Sequence, residues 1–325
     1  MWALSHVQFA CIRAIAHTSL YIRTSPWLAP ATQPDHIKNY PCRPSLYGCR
    51  IFIPKDSQGK QTPLPLVIRA HGGGFIVNYP AADDVLARHL ADHANCIVVS
   101  IDYGKSPQNK FPTAYEDVVA QTLAVIDDPE LPIDKSKVVL CGSSAGGNLT
   151  LGAAQDSRLV SKVVGVVSIY PAVDFGPDSD AKMATRPDPE VPDFIGKSWD
   201  DVMKLYLDEA QKESMQDVRL SPTYFGTRES LPQEILLIGA EHDMFCREVE
   251  VMAEKLAGGR PKNPNKEGWS APGVQYYKVF GQPHAFEGFP AKNPEAEKAR
   301  IAAKEAMFDT ISQWLKTTFS KVDSY

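Results

Sequence analysis

This chain of 325 residues has no block of like charge, no metal-type cysteine or histidine spacing and no long uninterrupted apolar run. Lysine and arginine number 34 against 39 acidic residues, interspersed along the sequence, for a net charge of -5. Without a basic stripe, a nucleic-acid surface is not expected. The six cysteines are scattered. Cys96 and Cys141 fall in apolar runs that read as buried strands and Cys11 in a helical stretch, which fits reduced thiols, and only Cys42 and Cys49 are spaced for a local bridge. No metal site is expected. Internal repeats and low-complexity tracts are also missing.

The amino terminus is fairly apolar but lacks a basic leader, and His6, Gln8, Arg13 and His17 interrupt it. Neither a secretory core nor a spanning helix fits that pattern, so membrane association is not expected and the expected location is cytoplasmic. Leu4, Val7, Cys11 and Ile15 mark one helical face, free to cover a pocket or to rest on a membrane surface.

What is present is an alternation of short apolar runs with helical stretches. Strands are expected over 49–53, 66–70, 96–102, 138–141, 163–170, 235–239 and 274–279, and helices over 83–93, 113–126, 146–154, 247–256 and 295–316. That order implies the α/β class, a mainly parallel sheet covered on both faces. The polar, Pro-rich stretch 176–192 and the amphipathic 199–207 interrupt the alternation, and 258–273 reads as a surface loop.

Chemistry enters at Gly142-Ser143-Ser144-Ala145-Gly146, directly after the apolar run 138–141. A serine on a tight strand-to-helix turn needs glycine two residues before and two after it, because larger side chains would collide. Ser144 has both glycines and Ser143 has neither, so Ser144 is the candidate nucleophile. His71-Gly72-Gly73-Gly74-Phe75 follows the run 66–70 and brings bare backbone to the end of a sheet. The N–H groups of Gly73 and Gly74 would join that of Ala145 to stabilise an oxyanion. A hydroxyl is a poor nucleophile unaided, and imidazole is the side chain poised to accept its proton near neutral pH. Among eight histidines, His284 stands on a loop just after the strand-like 274–279, where catalytic groups are displayed. Asp243 follows the strand-like 234–239 and would orient the imidazole, with Glu241 its nearest competitor. Phe75 and Phe286 adjoin the two catalytic loops and are candidates to line a substrate pocket.

Together, the glycine loop, Asp102-Tyr103 with Pro107 and Phe111-Pro112, the elbow with Gly147, Asp243, and His284-Ala285-Phe286 resemble the hormone-sensitive lipase family of α/β-hydrolases. The order Ser144, Asp243, His284 is the one used by that fold. The resemblance covers about residues 65 to 290. It implies an eight-stranded type of sheet with a helical cap, serine carboxylesterase or lipase chemistry on a small-molecule ester and no cofactor. It also implies a homodimer through the last sheet edge. Residues 1–45 would form an amino-terminal cap segment that uses the first helix, 46–175 with 221–325 the catalytic core, and 176–220 a cap insertion. The short cap favours short- to medium-chain or small-molecule esters. Many members carry an acidic residue where Ser143 stands, and a second aspartate soon after the catalytic acid, where this chain reads Asp243-Met244-Phe245-Cys246-Arg247-Glu248. Both departures bear on substrate preference. An acyl transferase, lactonase or cyclase, or a non-catalytic ligand-binding member, would share these motifs. Asp102-Tyr103 and Phe111-Pro112 read as architectural. The sequon at Asn148 lies in the first turn of the helix after the elbow, a buried place where modification is not expected.

Overall fold

The computed structural model describes residues 2–59, 62–259, 261 and 267–323. Among them the strands are β1 (His36–Lys38), β2 (Cys49–Phe52), β3 (Leu64–Ala70), β4 (Ile97–Ile101), β5 (Ile133–Ser143), β6 (Gly165–Ile169), β7 (Glu234–Ala240), β8 (Gly268–Ala271) and β9 (Val274–Val279). They form one sheet in the order β1-β2-β4-β3-β5-β6-β7-β9-β8. From β4 across to β9 the pairing is parallel, and antiparallel pairs flank it at both edges.

The central strands are buried along almost their whole length, the pattern of a sheet covered on both faces. Alternate residues feed opposite cores, as a two-residue repeat requires. Ile68, Val99, Leu140, Val166 and Leu237 pack with residues of α3 (Thr113–Ile126), α4 (Ala145–Ala153) and α7 (Cys246–Leu256). Val67, Val98, Val139, Val167 and Leu236 pack instead with α2 (Asp84–Ala94) and α8 (Pro294–Val322). At the start of α8, Asn293 caps the helix by accepting the Ala296 N–H at 2.8 Å. Strand order and register bring the ends of β3, β5, β7 and β9 to one edge, which is where loops carry chemistry in open α/β sheets.

Several expectations change. Within 258–273, Gly268–Ala271 is a strand hydrogen-bonded to β9, and residues 260 and 262–266 lie outside the described residues. The segment 1–45 is not all cap, since β1 within it joins the sheet. In α1 (Trp2–Arg23), Cys11 and Ile15 face solvent, and the helix turns Arg13, Ala16, His17 and Leu20 toward the protein. The reason is polar: Arg13 donates to Gln108 Oε1 at 3.2 Å and to the Ser106 carbonyl, and the His17 ring meets Tyr79 edge-on at 5.3 Å. Leu4 and Val7 have side chains outside the described set. Cys42 and Cys49 are unbridged, as are the other cysteines. Residues 176–220 contain α5 (Ser179–Met183) and α6 (Ser198–Tyr206), and Val202 of α6 stands over the glycine loop. Among the described residues no helix is long and apolar enough to cross a membrane.

Candidate active site

The elbow is dictated by close backbone approach. A Cβ on Gly142 would lie 2.2 Å from the Gly146 carbonyl oxygen, and one on Gly146 would lie 2.0 Å from the Ala70 carbonyl oxygen. Only glycine fits both places. Ser144 between them takes φ 53 and ψ -120, a backbone strain concentrated at the candidate nucleophile. Its N–H donates to Ile169 O at 2.8 Å, which fixes the turn against β6.

His284 Nε2 lies 2.8 Å from Ser144 Oγ, and its Nδ1 lies 2.6 Å from Asp243 Oδ2. The second Asp243 oxygen accepts the Phe245 N–H at 2.9 Å. The Tyr170 ring meets His284 at 4.7 Å and the Phe245 ring meets it at 5.6 Å, both edge-on, so the imidazole is clamped between aromatic neighbours. Burial disfavours the imidazolium, but the Asp243 carboxylate outweighs it, with Asp193 and Glu287 adding to the effect, and His284 is held above its ordinary value. Burial pushes the Asp243 carboxyl up against the pull of the same histidine. Glu241 is not the orienting acid: it accepts the Gly281 N–H at 2.8 Å and braces the histidine loop from outside.

The glycine loop is set by hydrogen bonds beneath it. His71 Nε2 lies 3.1 Å from Asp102 Oδ1, the Tyr103 hydroxyl donates to His71 O at 2.8 Å, and the two rings stack at 4.4 Å. Asp102 is also paired with Lys105 and accepts the Tyr47 N–H at 3.1 Å, so Asp102-Tyr103 carries the architectural role read from sequence. Gly73 has φ +131, and a Cβ there would meet the Val77 carbonyl oxygen at 2.4 Å. Among the described residues the N–H groups of Gly73, Gly74 and Ala145 have no acceptor within the chain. They stand on the loops after β3 and β5, and Gly72 packs within 3.3 Å of Ser144 Cβ when given a Cβ of its own.

Phe75 is buried, its ring stacked on Tyr206 at 4.0 Å and near Phe175 at 6.0 Å, in the core that carries the cap. Phe286 belongs to the opposite core with Tyr170, Met307 and Phe308. Phe286 is almost fully enclosed in that core, so a pocket-lining role for it is corrected to packing. Asn148 is likewise internal, donating to Ala172 O at 2.8 Å and Leu220 O at 2.7 Å.

Sequence reasoning missed the buried charges around this machinery. Arg69, wholly enclosed, donates to Ser143 Oγ at 3.1 Å and pairs with Asp83 at 3.0 Å, so a buried ion pair stands beside the elbow. Lys182 of α5 pairs with Glu248 and lies 5.1 Å from the Trp199 ring and 5.0 Å from that of Phe245. Glu248 also accepts the Val173 N–H at 2.7 Å, and burial pushes its carboxyl up to about 7. A lysine in a polar, Pro-rich stretch gives no local signal of burial. Among the described residues no cluster of three His, Cys, Asp or Glu side chains could hold a metal. A separate cavity of about 540 Å³ lies between α8 and β8–β9, lined by Glu234, Gln275, Trp314 and Lys321 at the start of β7, the opposite end from Asp243.

A family model described as alpha/beta hydrolase fold matches residues 67–267. The chain belongs to this family, the hormone-sensitive-lipase-like hydrolases that its motifs resemble. It is 30% identical over 236 residues to an arylesterase of Saccharolobus solfataricus, covering 71% of each chain. It is 28% identical over 269 residues to a probable carboxylesterase 5 of Arabidopsis thaliana, covering 77% of this chain and 79% of that one. The solved structure of a hyperthermophilic esterase from Pyrobaculum calidifontis superposes with a TM-score of 0.73 at 24% identity, covering 95% of this chain and 93% of that one. This last likeness speaks to the fold.

Proposed function

We propose that this chain is a serine carboxylesterase that hydrolyses short- to medium-chain or small-molecule acyl esters. The observation that carries the reading is the continuous contact from Ser144 Oγ through the His284 ring to Asp243. The relatives named arylesterase and carboxylesterase support the same reaction. His284 Nε2 takes the Ser144 proton as Oγ attacks the ester carbonyl carbon, and Asp243 stabilises the imidazolium that forms. The carbonyl oxygen, now negative, is received by the free N–H groups of Gly73, Gly74 and Ala145, donors that cost no reorganisation. Collapse expels the alcohol with the proton from His284 and leaves an acyl-serine. Water, deprotonated by the same histidine, then releases the acid. No step calls for a cofactor.

Val202 of α6 would stand 3.5 Å from a Cβ on Gly74, so the cap insertion reaches the oxyanion loop, and this supports the preference for modest-sized esters. Phe75, behind that loop, keeps a place in shaping the acyl side. Six unpaired thiols fit a cytoplasmic location, and the edge strand β8 offers a second copy a surface for a homodimer. The test is turnover of p-nitrophenyl esters of increasing acyl length, which is expected to peak at short or medium chains and to vanish in Ser144→Ala. Activity that persists in that variant overturns the reading.

A further inference from the structure

The irregular segment 186–196 of the cap insertion grips the acid loop on both sides of Asp243. Arg186 is buried and donates from Nε to the His242 carbonyl at 2.9 Å, and from Nη2 to Val191 O within its own segment. Asp193 accepts the Met244 N–H on Oδ2 at 2.9 Å. Its other oxygen accepts the N–H groups of Ile195 at 2.7 Å and Gly196 at 2.8 Å, so the carboxylate is locked in place. Farther on, the Phe194 ring lies against that of Phe289, beyond the histidine loop, at 4.6 Å. The two catalytic loops are themselves tied by His242 N to Gln282 O at 3.0 Å.

We propose that Asp193, with Arg186, is a positioning element supplied by the cap: it clamps the residues before and after Asp243 and sets a second negative charge beside the Asp243–His284 pair. The inference rests on the esterase reading of that pair. Both carboxylates act on His284 in the same direction, with Asp243 the stronger. The other groups facing the ring are Ser144, Tyr170, Phe245 and the Glu287 carboxylate that Tyr170 holds. Lys182 beyond Phe245 is paired with Glu248, whose own carboxyl titrates at about 7, and Arg300 is engaged with the carbonyls of Phe286 and Glu287. A hydrolase core with its cap displaced would therefore have a looser acid and a less basic imidazole, which couples cap docking to catalysis.

The test uses the full chain with Asp193→Asn, Asp193→Ala and Asp193→Glu, each checked for fold by circular dichroism. Asn removes the charge and keeps one acceptor oxygen for the Met244 N–H, but gives up the oxygen that receives Ile195 and Gly196. Two quantities are read: the acid limb of kcat/KM against pH with p-nitrophenyl acetate, and the titration of the His284 ring by proton NMR, assigned by its loss in His284→Asn. Asp193→Asn is expected to move both to lower pH, and Asp193→Glu to restore them. Asp193→Ala is expected to add a fall in kcat of about tenfold or more, with KM within about threefold, because the acid loop is no longer held. An unmoved His284 titration in Asp193→Asn overturns the proposal, as does unchanged kcat in a folded Asp193→Ala. If Asp193→Ala does not fold, Asp193→Asn decides alone. A wild type without esterase activity would refute the proposed function, while the NMR titration would still decide the clamp.

Discussion

Ser144 Oγ and His284 Nε2 stand 2.8 Å apart although 140 residues separate them in the chain. Their meeting follows from sheet order: β5 and β9 deliver their carboxyl-terminal loops to the same edge, with β7 between them bringing Asp243. Each partner is held by its own surroundings, the serine by glycine-only backbone contacts and the histidine by two aromatic rings. The site is therefore preorganised before any ester arrives.

The pH dependence follows from the state His284 must have. The free base accepts the Ser144 proton, and the imidazolium cannot. Because Asp243 and its neighbours hold the ring above its ordinary value of 6.5 despite burial, activity is complete above the raised value and is lost as pH falls through it. The acid limb of kcat/KM should accordingly lie above pH 6.5, with a slope of one proton. A limb at or below the ordinary imidazole value would show that the carboxylates do not reach the ring.

Asp102 gives a second, separate pH effect, on stability. Burial alone would raise its carboxyl, but His71 and Lys105 outweigh that and hold it down to about 2, against 3.8 for the free group. A depressed folded value means stability that is present above about 3.8 and is lost as pH falls toward 2. The difference is worth about 2 kcal/mol. Asp102→Asn should flatten denaturant stability across that acid window and lower activity by loosening the glycine loop, both measurable by urea titration and ester assay. Unchanged acid stability would remove Asp102 from the account.

Gly146→Ala should be among the most damaging small substitutions, since its Cβ would sit 2.0 Å from the Ala70 carbonyl oxygen and backbone cannot step aside. We expect a loss of more than about 3 kcal/mol or failure to fold. Gly226→Ala, where no atom lies within 4 Å, is the control and should be near neutral. Equal thermal midpoints for the two variants would contradict the elbow geometry.

Lys182→Met leaves Glu248 buried without its partner and should cost about 3–5 kcal/mol. Adding Glu248→Gln should recover much of that loss, because the remaining amide can still accept the Val173 N–H. Chemical denaturation of the single and double variants reads the coupling. Additive losses would mean that the pair does not join α5 to α7.

Much of this was legible in the chain. The elbow, the glycine loop, and the loops bearing Asp243 and His284 carry local signals, because each needs glycine or a strand end at a fixed spacing. The central strands were legible for the same reason, as short apolar runs such as Ile97–Ile101 have few other homes. What was hidden depends on contacts between distant segments. Phe286 read as a pocket residue because it adjoins His284, yet the turn at Ala285, with φ 55, sends it to the opposite core. The orientation of α1 is not legible because Arg13 and His17 read only as interruptions of an apolar stretch until Ser106, Gln108 and Tyr79 are placed beside them. Strand β8 is short and set among glycine and proline, and only its ladder with β9 reveals it.

The most direct test of the central claim is fluorophosphonate labelling of the wild-type protein, with the modified residue mapped by tandem mass spectrometry. The account predicts a single adduct on Ser144, formed faster as pH rises through the His284 limb and absent from a folded Ser144→Ala. A folded wild type that stays unlabelled, or an adduct on Ser143 in place of Ser144, would contradict it.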